Sequence, residues 1–111
     1  MLQTDTTEAD EAPPGAIDVQ AGFGPKFVPK RITAAAGTVV FFLHNLPTEP
    51  VQHSFIIGKK LYEPIAIGPT LSPRESVIFT VFDLEPGQYV FWCAIEDHAA
   101  DGMTGTLTIK P

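Results

Sequence analysis

Between Trp92 and Met103 a thiol, an imidazole and a thioether follow one another at five-residue intervals, as Cys93, His98 and Met103. All three side chains bind soft or borderline metal ions, and one loop is long enough to curl them round a single point. A fourth donor has to come from elsewhere, and His53, in a separate strand segment well upstream, is the natural candidate. Two imidazoles, one thiolate and one weak thioether make a soft set of low coordination number, the kind that holds copper for passing single electrons. Structural zinc is more often closed by further Cys or His, and methionine is a poor ligand for it.

Taken singly, each residue also has an ordinary reading. A lone cysteine is usually a small buried hydrophobe. A histidine is more often on the surface or in a hydrogen bond, and a methionine at the start of a strand more often fills a core. The copper reading rests on their joint order, which uses the one cysteine, the one methionine besides Met1 and two of the three histidines. The remaining histidine, His44, lies in an apolar strand segment and is read as structural.

The elements that must position these donors read as β-strands. Short β-branched or aromatic stretches bounded by Pro or Gly fall near residues 16–21, 27–33, 38–45, 53–57, 76–82, 88–94 and 103–110, the spacing of an all-β sandwich. In the last of them Thr104, Thr106 and Thr108 alternate with Gly105, Leu107 and Ile109, the period of a strand with one wet face. No window carries a helical period, and eleven prolines interrupt most candidates. Residues 58–73, with three prolines, read as a long connection holding at most one short strand or turn.

Composition narrows the function classes. A chain of 111 residues makes one domain of ordinary size. One cysteine excludes an internal disulfide, a four-cysteine zinc site and an iron–sulfur cluster. A net charge of -6 argues against nucleic acid, whose phosphates demand a basic face. Asp5, Glu8, Asp10 and Glu11 crowd the first twelve residues with no base among them, and Pro13, Pro14 and Gly15 follow. Residues 1–14 are therefore expected to be a disordered acidic leader or tether, and 15–111 a single folded domain of nearly balanced charge. No uninterrupted apolar run, that of residues 39–43 included, approaches the roughly 20 residues that span a bilayer.

Beyond the four donors, the sequence resembles the cupredoxins, the small blue copper proteins. Residues 83–93, with Pro86-Gly87-Gln88-Tyr89-Val90-Phe91-Trp92-Cys93, are similar to that family's Pro-Gly-x-Tyr-x-Phe-x-Cys strand. Gly102-Met103-Thr104-Gly105-Thr106-Leu107 is similar to its closing strand, and residues 45–55, ending in His53-Ser54-Phe55, to its first-histidine segment. The equal gaps from Cys93 to His98 and from His98 to Met103 look closest to the rusticyanin and auracyanin branch.

The resemblance implies a Greek-key β-sandwich of about seven to eight strands, holding one type 1 copper ion. It implies that His53, Cys93 and His98 form the trigonal plane, with Met103 as the weak axial ligand. Asn45 and Ser54 would lie just behind them, with the amide of Ser54 donating to the Cys93 sulfur. Many relatives carry Asn where this chain has Ser54, and the shorter side chain is expected to alter the potential. Ala94, Ala99 and Ala100 resemble the small apolar patch around the exposed edge of the second histidine, which makes His98 the expected electron port. Glu96, Asp97 and Asp101 are either a solvated rim or a docking patch for a basic redox partner.

The expectation is thus a monomeric electron carrier, not an enzyme, cycling between Cu(I) and Cu(II) with redox partner proteins. It would work in the periplasm or elsewhere outside the cytoplasm, with a membrane tether through its N-terminus. The alternative is a copper-binding or copper-delivery module, which would favour exposed clusters of Met or His over a thiol set among aromatic strands.

Overall fold

The computed structural model describes residues 1–111 except Phe23, Thr48 and Glu49. Among the described residues, ten strands form two five-stranded sheets. The strands are β1 (Thr4–Glu8), β2 (Ile17–Gly22), β3 (Lys26–Val28), β4 (Arg31–Ala35), β5 (Gly37–Asn45), β6 (His53–Lys60), β7 (Glu63–Leu71), β8 (Ser76–Leu84), β9 (Gly87–Trp92) and β10 (Thr104–Lys110). The first sheet runs β1-β8-β5-β2-β3 and the second β4-β10-β9-β6-β7. The all-β sandwich agrees with the sequence reading.

Alternation along the strands builds the core. In β8, Val77, Phe79 and Val81 point inward while Ile78, Thr80 and Phe82 are only partly covered. In β10, Gly105, Leu107 and Ile109 are buried and the threonines face out, as the period of two requires. Among the described residues, five fully buried phenylalanines join the sheets. Phe27, Phe41 and Phe79 come from the first sheet, Phe55 and Phe91 from the second. Their centroids lie 5.6 Å apart for Phe27–Phe55, 5.3 Å for Phe27–Phe91 and 5.2 Å for Phe41–Phe55, the edge-on and tilted contacts that aromatic quadrupoles favour. Gly105 is glycine for lack of room: a Cβ there would meet the Phe91 ring and the Lys30 carbonyl.

Three segments differ from the sequence reading. Residues 1–14 are not a disordered leader throughout, because Thr4–Glu8 pairs antiparallel with β8 along its whole length. The Leu2 amide donates to the Ile65 carbonyl at 2.7 Å and its side chain packs against the core. Low hydrophobicity misled here, because an edge strand of threonines is held by backbone bonds that need no apolar side chain. The stretch 27–33 is two strands in different sheets, β3 and β4, parted at Pro29, which has no N–H for a ladder. Residues 58–73 hold the end of β6 and all of nine-residue β7, joined by a tight turn at Leu61 and Tyr62. Its prolines 64 and 69 are tolerated because β7 is an edge strand.

At the Pro86-Gly87 turn, the Tyr89 hydroxyl donates to the Glu85 carbonyl at 2.7 Å. Burial, and then the Glu85 charge, push the Tyr89 phenol above its ordinary value of 10.0. The unfolded chain therefore releases that proton first. This contribution is complete below pH 10.0 and is lost as pH rises through the folded value. We expect Tyr89→Phe to lower stability by about 1 kcal/mol and to remove that part of the alkaline loss, as read by urea unfolding below and above pH 10.0.

Candidate metal centre

β6 and β9 lie side by side, pairing Ile56 with Trp92. That register brings the start of β6, His53, to the end of β9, where Cys93 follows Trp92. The chain from Cys93 to Met103 then closes on itself. The Cys93 amide donates to the Met103 carbonyl at 3.2 Å, and the Met103 amide donates to the His98 carbonyl at 2.9 Å. Within the loop, the Asp101 amide reaches the Asp97 carbonyl at 2.9 Å. Gly102, with φ +105, makes the final bend into Met103, a conformation that glycine adopts at little cost.

The result is one cluster of donors. The side-chain donor atoms of His53, Cys93 and His98 all lie within 4.8 Å of one another. Cys93 Sγ is 4.0 Å from His53 Nδ1 and 3.5 Å from His98 Nδ1, and the two imidazole centroids are 5.0 Å apart. Bonds of about 2.0 Å to nitrogen and about 2.3 Å to sulfur place such donors roughly 3.8 Å apart in a trigonal arrangement. The cluster thus fits a first-row metal ion, and a thiol with two imidazoles is the donor set that suits copper. Cys93 and His53 are 1% and 0% exposed, whereas His98 is half-buried. Met103, 0% exposed, sits in the core directly after the loop, with its backbone bonded to both Cys93 and His98.

Surrounding groups hold the sulfur in place. The Ser54 amide donates to Cys93 Sγ at 3.3 Å. The Ser54 hydroxyl stands 3.8 Å from the same sulfur and accepts the Ala94 amide at 2.7 Å, tying the first-histidine strand to the ligand loop. Asn45 is buried at the end of β5 and donates from Nδ2 to the Val51 carbonyl at 2.9 Å and the Leu71 carbonyl at 3.1 Å. It pins the segment before His53, in which Thr48 and Glu49 lie outside the described residues. Ala99 packs with Ile56 and Trp92 in a small second cluster that braces the loop from outside the sandwich. The sequence offered no sign of the hydroxyl-to-Ala94 bond, because it joins residues forty positions apart. His44 stays away from the cluster, its Nε2 3.0 Å from Asp18 Oδ1. Glu96, Asp97 and Asp101 are exposed on the loop.

We expect Ser54→Ala to cost about 1–3 kcal/mol by leaving the Ala94 amide without its acceptor, and Ser54→Asn to move the reduction potential of the loaded protein. Chemical denaturation and voltammetry beside the wild type check the two. An unmoved potential in Ser54→Asn would mean that this position does not tune the site.

Residues 1–109 match the family described as the cupredoxin-like domain. Among solved structures, reduced auracyanin of the photosynthetic bacterium Roseiflexus castenholzii is similar at a TM-score of 0.76 and 24% identity, over 86% of this chain and 97% of that one. Auracyanin A, a "blue" copper protein of Chloroflexus aurantiacus, is similar at 0.71 and 22%, over 86% and 98%. Oxidized plastocyanin of Dryopteris crassirhizoma is similar at 0.62 and 26%, over 84% and 99%. No curated protein matches the chain by sequence.

Proposed function

Because the chain belongs to the cupredoxin-like family, we propose that it is a single-electron carrier that holds one copper ion through His53, Cys93, His98 and Met103. The carrying observation is the convergence of two imidazole nitrogens and one thiol sulfur within 4.8 Å. A bound copper ion supplies a one-electron couple between Cu(I) and Cu(II). The protein's own residues do the rest.

Burial of Cys93 and His53 keeps water from the donors, and the Ser54 amide fixes the position of the sulfur. Two sheets locked by aromatic contacts hold the donors nearly fixed between oxidation states, which keeps rearrangement on electron transfer small. The half-buried His98 ring turns Nδ1 to the sulfur, leaving its other edge as the port through which redox partner proteins exchange electrons. A thiol only 1% exposed suits a carrier better than a module that hands its metal on. The reading goes with a location in the periplasm or elsewhere outside the cytoplasm, and no helix of the described residues is long and apolar enough to cross a membrane.

Adding Cu(II) to the purified chain should produce an intense visible thiolate-to-copper band, and a colourless protein would refute the reading. Met103→Leu should keep the colour and raise the potential, because a weak axial thioether helps to hold Cu(II). Loss of copper binding in that variant, followed by metal analysis after dialysis, would make Met103 a stronger ligand than proposed.

A further inference from the structure

The charged residues that lie on strands are sorted between the two sheets. Asp5, Glu8, Asp18 and Asp83 lie on strands of the first sheet, whose one base is Lys26. The second sheet reverses the sign. Its strands β4, β6, β9 and β10 contain no carboxylate but carry Arg31, Lys59, Lys60 and Lys110, and its one acid, Glu63, opens the edge strand β7. Arg31, Lys60 and Lys110 are exposed. The one close contact between a basic side chain and a carboxylate among the described residues, His44 Nε2 with Asp18 Oδ1, belongs to the first sheet.

One of these cations, Arg31, borders an apolar centre together with Lys30. A groove of about 360 Å³ crosses the outer face of the second sheet, lined by Lys30, Arg31, Leu61, Val90, Thr104 and Thr106. The register explains it: Arg31 pairs with Thr106 and Thr106 with Val90, so the three point outward in one row across β4, β10 and β9. At the groove's end the β6–β7 turn leaves Leu61 and Tyr62 39% and 61% exposed, and the Tyr62 ring stands edge-on 6.2 Å from Trp92. Exposed aromatic and aliphatic groups beside arginine, with no acid among them, have the composition of a protein-binding centre.

We propose that this groove is a docking site for a protein partner, which presents to it an acidic segment carrying one apolar side chain. Carboxylates of the segment meet Lys30 and Arg31, the threonine hydroxyls accept or donate bonds to its backbone, and its apolar side chain covers Val90 and Leu61. An acidic segment is favoured because the site's charges are of one sign within a chain whose net charge is -6, so general attraction of anions to the whole surface does not account for it. Neither His98 nor the loop acids Glu96, Asp97 and Asp101 line the groove. The site is therefore separate from the proposed electron port and does not depend on copper being bound.

The test titrates an end-blocked peptide, Asp-Glu-Phe-Asp-Glu, into isotope-labelled full-length protein, both metal-free and copper(I)-loaded, and follows amide shifts by NMR. Saturable shifts at Arg31, Val90, Thr104 and Thr106 are expected, weakening as salt rises. Arg31→Glu should reduce affinity by more than about tenfold, while Lys26→Glu, an equal change of charge on the exposed side of the other sheet, should leave it nearly unchanged. Equal losses in the two variants, or shifts centred on residues 94–101, would overturn the proposal. So would binding of the protein to phosphatidylglycerol vesicles with no saturable binding of the peptide, which would make the face a membrane contact.

Discussion

Cys93→Ser should abolish the intense visible band of the copper-loaded protein while leaving the fold in place. The sulfur is the one soft anionic donor in the cluster, and a serine hydroxyl is a hard oxygen that keeps its proton at neutral pH. The fold should survive because serine is nearly the same size and its oxygen can accept the Ser54 amide that now points at the sulfur at 3.3 Å. Burying the hydroxyl costs roughly 1–3 kcal/mol, within the margin of a small domain. Visible absorption during Cu(II) titration measures the first effect and far-ultraviolet circular dichroism the second. An intense band retained in the variant would remove Cys93 from the ligand set. Loss of the folded spectrum would instead show that the cysteine is chiefly a packing residue.

Phe55→Ala should produce the largest loss of stability. Phe55 is 1% exposed and lies two residues after His53. Its ring touches Phe27, Phe41, Phe79 and Phe91 at centroid distances of 5.6, 5.2, 6.2 and 5.1 Å, so it joins both sheets at once. Truncation leaves a cavity that these rings cannot all move to fill, which costs about 3–5 kcal/mol and lowers the melting temperature by about 15 °C or more. Phe55→Leu should recover part of that loss because it restores much of the volume. The metal-free protein must be used, since bound metal adds its own stabilisation. A loss below about 1 kcal/mol would mean the core closes around the gap.

Parts of this structure were legible at once because their signal is local. The alternation of Thr104 to Ile109 marks β10 whatever else the chain does. The run from Pro86 to Cys93 names a turn and a strand that carries the thiol to its loop, and the intervals from Cys93 to His98 to Met103 lie within one segment. What was misread depended on partners distant in the chain. Thr4–Glu8 looks too polar to order, and it becomes a strand because β8 offers a free edge. Pro64 and Pro69 look like breakers, and they are harmless because β7 has a neighbour on one side only.

For the metal centre the division is similar. Residue types, order and spacing determined by themselves that a soft four-donor set was available and which four residues could make it, since ligand chemistry is a property of side chains. Only the packing of β6 against β9 decided that His53 Nδ1 comes within 4.0 Å of the Cys93 sulfur. The same packing lets the Ser54 hydroxyl accept from Ala94 at 2.7 Å. Tertiary structure also sets Lys30 and Arg31 beside one groove whose lining holds no carboxylate. Such relations are between residues far apart in the chain, and their free energy exists only once both sheets have formed.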